Sequence, residues 1–143
     1  MSDTHDALIP FEIAGRTLAI PLAGVLEVLG AREWIALPGA PPAIPGATAW
    51  RGRAIALIDL APLLGGAPLH TSGARPRMLV VQLRDEVVAL AVDRVHEACA
   101  GSRLVLHHAV SLPLPRHGDA QLGDRLVSVL DLDTWILAQR RAT

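Results

Sequence analysis

The sequence predicts an all-β chain folded as two small closed barrels, with short helices at turns and at the C-terminus, and three observations carry that prediction. The first is a string of short aliphatic and β-branched runs cut apart by Gly and Pro. The second is that this string repeats at about half the chain length. The third is composition: 51% of the 143 residues are apolar but only 3% are aromatic, with one Phe, three Trp and no Tyr. A domain of this length buries roughly 68% of the surface its unfolded chain exposes, enough for one core or two small ones without staples.

Taken in order, the strand runs are Leu8–Ala14, Thr17–Pro21, Thr48–Gly52, Ala54–Ile58, Met78–Arg84, Val87–Val92 and Arg125–Leu130. Gly15-Arg16 and Asp85-Glu86 read as two-residue hairpin connections. Asp59 is placed to cap a helical turn over Leu60–Leu64, with Pro62 in its first turn and Gly65 ending it. Asp131 or Asp133 caps a C-terminal helix over Thr134–Arg140. Pro38–Gly46 and His107–Asp119 read as long loops stiffened by proline.

Sliding the sequence by 70 lays Leu8–Ala14 on Met78–Arg84, Leu18-Ala19 on Val88-Ala89, Val25 on Val95 and Glu27 on Glu97. Sliding by 72 lays Arg53, Asp59 and Leu60 on Arg125, Asp131 and Leu132. A period of half the chain means two related subdomains rather than a solenoid. The expected division of the single 1–143 domain is a first half at 8–66, a linker at 67–76 within the Gly- and Pro-rich stretch Gly65–Pro76, and a second half at 77–138. One duplicated string also fits halves that exchange strands. About five strand-length runs per half suit a closed barrel better than an open sheet with free edges.

Composition also excludes chemistry. Cys99 is the single cysteine, so no intramolecular disulfide forms and a reducing compartment is expected. Thirteen basic against fourteen acidic residues give a net charge of −1, without the basic footprint of a nucleic-acid binder. Every one of those basic residues is Arg; the absence of Lys removes P-loop, Schiff-base and protein-kinase chemistry. The polar start Met1–Asp6 lacks the pattern of a signal peptide, and the uncharged stretch after Trp34 is broken by Pro38, Pro41, Pro42 and Pro45, so no direct membrane insertion is expected.

Candidate site chemistry is sparse. His96 and Cys99, adjacent His107 and His108, and His117 suggest a metal cluster, but extended backbone would turn neighbouring members to opposite faces. They read instead as solvated loop histidines and an apolar Cys, with no metal and no cofactor. No Ser lies in a nucleophile elbow, and Asp59, Asp93 and Asp131 at strand ends read as caps and turns. No catalytic residue is assigned, and an enzyme is not expected. Two charges are out of place: Glu27 inside Val25-Leu-Glu-Val-Leu29, and Arg51 between Trp50 and Gly52. They are either an ion pair across neighbouring strands or two independent exposed charges. Trp50 reads as a core or barrel-end aromatic.

Phe11-Glu-Ile-Ala-Gly15, then Ala19-Ile-Pro-x3-Val25-x-Glu27-Val28, Ile44-Pro-Gly46, Trp50-Arg-Gly52 running into Ile58-Asp-Leu60, and Ala91-Val-Asp-Arg-Val95 resemble in order the successive motifs of the CheW-like domain family. The resemblance covers Leu8 to Ala138. It implies two five-stranded, SH3-like barrels and a non-catalytic adaptor of bacterial chemotaxis signal transduction. Such an adaptor couples chemoreceptors to a CheA-type histidine kinase. It binds the receptor's cytoplasmic tip in a groove between the barrels and the kinase's regulatory domain through barrel ends, in the cytoplasm at membrane receptor arrays. A CheW-like scaffold of a type IV pilus or another chemosensory-like pathway is the alternative.

The resemblance places receptor-binding residues at Val25, Glu27, Val28, Arg51 and Gly52, with a structural ion pair between Glu27 and Arg51. The sequence departs from the family pattern at Ala49, where Asn is frequent, and at Ala61, where Arg is frequent. Both changes remove polar groups near the implied receptor face. The physical mode is helix-in-groove recognition, with an apolar stripe in an aliphatic cleft and rim charges setting register.

Overall fold

The computed structural model describes residues 6–101 and 112–141. Among these described residues, twelve strands form two sheets: β1 Asp6–Ile13, β2 Arg16–Pro21, β3 Val25–Leu29, β4 Ile35–Ala36, β5 Gly46–Trp50, β6 Arg53–Ile58, β7 Arg77–Gln82, β8 Val87–Val92, β9 Arg94–Val95, β10 Cys99–Gly101, β11 Arg116–Leu122 and β12 Arg125–Leu130. Two helices are added, α1 over Leu69–Ser72 and α2 over Leu132–Arg141, with 3-10 turns at Leu22–Gly24 and Ala61–Leu64. The all-β expectation holds. Each sheet has five main strands and a two-residue sixth: β10-β1-β2-β12-β11 with β9 beside β1, and β3-β7-β8-β6-β5-β4.

The two compact units do not follow the contiguous halves 8–66 and 77–138. Among the described residues, one unit comprises 6–11, 17–23, 95–101 and 112–141; the other comprises 12–16 and 24–94. In the second, β6 of the first half pairs in parallel with β8 of the second half, Leu57 opposite Ala89. In the first, β12 pairs in parallel with β2, Val129 opposite Ala19. Each half thus lends its hairpin to the other half's sheet. The repeat explains why sequence alone left this open: hairpins with the same apolar alternation fit either sheet edge. Pro21 and the 3-10 turn after it end β2, and β3 pairs with β7 instead, Leu29 opposite Met78.

The hairpin turns sit one residue earlier than expected. Ala14 and Gly15 both adopt positive φ, +52° and +78°, the signature of a two-residue turn that matches strand twist. Asp93 Oδ2 accepts the Ala14 N–H at 2.9 Å. In the β7–β8 hairpin the closing bond runs from Leu83 N to Glu86 O at 2.8 Å, so Arg84-Asp85 form the turn. Arg51-Gly52, expected to end a strand, form a turn of the Ala14-Gly15 kind, with φ of +48° and +78°. The loop expected over His107–Asp119 is corrected in part: Arg116–Asp119 belong to β11, and its N-terminal residues lie outside those described.

In the 24–94 unit, Leu29, Trp50, Ile55, Leu57, Met78, Val80, Ala89 and Ala91 form the core. In the other, Leu8, Ala19, Ala120, Val127 and Val129 do so. Gly101 on β10 faces Leu8, Ala120 and Leu122 so closely that a β-carbon there would clash with Leu8, which brings β10 against β11 and closes that barrel. Helix α2 covers it with Leu132, Trp135 and Ile136 buried, at i, i+3 and i+4. Of the two cap candidates Asp131 serves: its Oδ1 accepts the Thr134 N–H at 3.1 Å and its Oδ2 the Thr134 hydroxyl at 2.7 Å. No helix among the described residues is long and apolar enough to cross a membrane.

Candidate functional site

In the 24–94 unit β3 is an edge strand and β5 lies next to the opposite edge, so something must join them if the sheet is to close. Alternation along β3 sends Glu27 and Leu29 to the core side, and alternation along β5 sends Thr48 and Trp50 to the same side. Trp50 Nε1 donates to Glu27 Oε1 at 2.9 Å. Arg51 Nη2 lies 3.5 Å from that same oxygen. The structure therefore brings Glu27 and Arg51 together, through the tryptophan read from the sequence as a core or barrel-end aromatic.

Trp50 does both jobs. Its side chain is 6% exposed and packs in the core, yet its indole N–H emerges at the barrel end. The Cζ atoms of Arg51 and Arg53 lie 5.0 and 5.5 Å from its ring centroid, within cation–π range. Arg51 is 70% exposed and Glu27 39%, so this is a solvated rim pair worth about 0–1 kcal/mol. Its role is geometric: it fixes the direction of two charges at a tight turn.

The remaining site candidates are spread around that turn. Gly52 completes it at φ +78°, a conformation glycine adopts without cost. Val25 is half-buried opposite Val81, just before a bulge that spans Val25 to Glu27. Val28 projects from the face of β3 opposite to Glu27 and is 49% exposed, and Leu26 is exposed as well. The five residues are thus not one flat patch: a charged rim and an aliphatic face share one edge strand. The reading of the sequence missed Arg53 and the bond of Trp50. The alternation of Arg53 with core residues Ile55 and Leu57 was the available signal for the first; nothing in the sequence marked the second.

In the other unit, Pro10, Thr17, His96, Cys99 and Arg125 share a shallow cavity of about 190 Å³. A larger, mainly apolar cavity of about 590 Å³ is lined by Leu8, Pro21, Leu22, His117 and Val129. Beside it His117 Nε2 is 3.7 Å from Asp131 Oδ1. His107 and His108 lie outside the described residues. Among the described residues, no three His, Cys, Asp or Glu side chains are grouped to hold a metal ion.

Asp119 on β11 is a buried charge. Its Oδ1 accepts the Ser128 hydroxyl at 2.9 Å and lies 3.4 Å from Arg116 Nη1, while its Oδ2 is buried without a hydrogen-bond partner. Arg116 also donates to Ser128 Oγ at 3.2 Å. A bulge between Arg116 and Gly118 puts residues three apart on one face, which an unbroken strand would not. The cluster holds β11 to β12.

The model of the CheW-like domain matches residues 7–139. The chain is 34% identical over 90 residues to a probable chemotaxis protein CheW of Rhizobium etli, covering 63% of this chain and 57% of that protein. It is also 34% identical over 87 residues to protein PilI of Pseudomonas aeruginosa, covering 61% of this chain and 48% of that one. The matches thus span about half the length of these curated relatives. The crystal structure of the scaffolding protein TtCheW from Thermoanaerobacter tengcongensis superposes with a TM-score of 0.74, at 21% identity, over 88% of each chain, and shares the fold.

Proposed function

Because the chain belongs to the CheW-like domain family, we propose that it is a non-catalytic adaptor that couples chemoreceptors to a CheA-type histidine kinase, at receptor arrays on the cytoplasmic side of the membrane. The observation that carries this reading is the rim of the 24–94 barrel, where Trp50 and Arg51 converge on Glu27 while Leu26 and Val28 stand exposed on the same strand. A receptor helix laid there buries an apolar stripe on the aliphatic face, and the fixed charges set its register. In this reading Val25, Glu27, Val28, Arg51 and Gly52 form the receptor-facing set. Single contacts of this size are weak, and an array supplies the avidity that makes them effective.

The match to PilI at the same identity as the match to a chemotaxis CheW supports a second reading, a scaffold of a type IV pilus pathway. Co-purification of the full chain with the source bacterium's chemoreceptor fragments and CheA-type kinases tests both. Retention of a chemotaxis receptor and kinase is expected under the first reading, and retention of only the pilus pathway's kinase under the second. Binding to none of them would overturn both.

A further inference from the structure

Two guanidiniums share the Trp50 ring, but only one carboxylate serves them. Glu27 Oε1 takes the indole N–H and the Arg51 guanidinium. Among the described residues no carboxylate lies within ion-pair distance of Arg53, whose guanidinium rests on the ring alone. Arg53 opens β6, and alternation puts it on the face of Ile55 and Leu57, both core residues. It therefore continues a core row out of the barrel end, where it is exposed. The rim keeps one positive charge uncompensated.

An arginine on a free stem loses much rotamer freedom when it binds, whereas one already laid on an aromatic face loses less. The same guanidinium presents a planar fork that suits a carboxylate bidentately. Resting on the receptor-coupling reading above, we infer that Arg53 is a specificity-determining residue that takes an acidic side chain of the receptor tip, while Arg51 stays committed to Glu27. Trp50 is the platform that positions both.

The test is titration of the full-length chain, wild type and variants, with a receptor cytoplasmic-tip fragment from the same bacterium. Arg53→Glu should weaken binding about tenfold or more, since a like charge then faces the acidic group. Arg53→Gln should weaken it less and flatten the dependence of affinity on salt between low and high ionic strength. Both variants should melt with the wild type, because the side chain is exposed. Reversing acidic residues of the fragment to Arg one at a time should find one that restores binding to the Arg53→Glu chain. Affinity of Arg53→Glu within twofold of wild type, or restoration by none of the reversals, overturns the assignment of Arg53 alone. A wild-type chain that does not bind the fragment overturns the receptor reading and this inference together.

Discussion

Trp50 on β5 donates its indole N–H to Oε1 of Glu27 on β3 at 2.9 Å, and this bond joins strands from the two sides of one curled sheet. The same tryptophan is a core residue. Stability and the direction of the rim charges are therefore coupled through one side chain, and conservative and drastic substitutions should separate the two.

Trp50→Ala removes a buried aromatic and should cost about 3–5 kcal/mol in denaturant unfolding. Trp50→Phe keeps most of the packing and a ring for the two arginines, and loses only the bond to a half-exposed carboxylate. It should cost about 1–2 kcal/mol in packing and hydrogen bonding together. Equal losses for the two variants would mean that the indole N–H, and not the packed ring, supports the barrel end.

Arg51 sits at φ +48°, where a non-glycine residue is strained by roughly 1–2 kcal/mol. Its exposed pairing with Glu27 returns about 0–1 kcal/mol at most. Arg51→Gly should therefore leave stability unchanged or raise it slightly, while removing one charge from the proposed receptor-facing rim. A double-mutant cycle with Glu27→Gln should give a small coupling that vanishes at high salt. A loss above about 2 kcal/mol for Arg51→Gly would make the arginine a structural residue instead.

Asp119 is 1% exposed and compensated by Ser128 and Arg116 through a single oxygen. Asp119→Ala removes the carboxylate that compensates the largely buried Arg116 guanidinium and should destabilise by about 3–5 kcal/mol. Ser128→Ala removes one neutral donor to a charged acceptor and should cost about 1–3 kcal/mol. Thermal melts of the two variants check the order; a larger loss for Ser128→Ala would reverse the assigned hierarchy.

Much of this architecture was legible because the repeat is regular. The observed turn Ala14-Gly15 plus 70 is Arg84-Asp85, and the observed pair Trp50 with Arg53 plus 72 is Leu122 with Arg125. That second offset contained β11, yet Arg116–Asp119 fell inside the loop read over the proline-bearing stretch His107–Asp119. The bulge and the buried Asp119 cluster explain how such a strand persists. The exchange of hairpins was not legible, since it turns on which of two equivalent edges a strand meets. The Glu27–Arg51 pair was one of two readings of those out-of-place charges, whereas the bond of Trp50 to Glu27 depends on barrel closure, a tertiary fact that local patterning does not encode.

The repeat also sets Asp59 and Asp131 at equivalent positions with unequal tasks. Asp131 caps α2 and is partly exposed, with both acceptor bonds going to Thr134. Asp59 is 2% exposed and bridges two segments, its Oδ1 accepting from Ala61 N at 3.2 Å and its Oδ2 from Leu69 N at 2.9 Å. Replacing Asp131 with Ala exposes the end of one helix to water and should cost about 1 kcal/mol. Replacing Asp59 with Ala removes a buried carboxylate that accepts two part-buried backbone hydrogen bonds, each worth about 1–3 kcal/mol, and should cost at least twice as much. Urea titrations of the two single variants provide the check, and hydrogen exchange should report faster opening around Ala61 and Leu69 in the Asp59 variant. Equal losses would show that the sequence equivalence, and not the difference in burial, governs what these aspartates contribute.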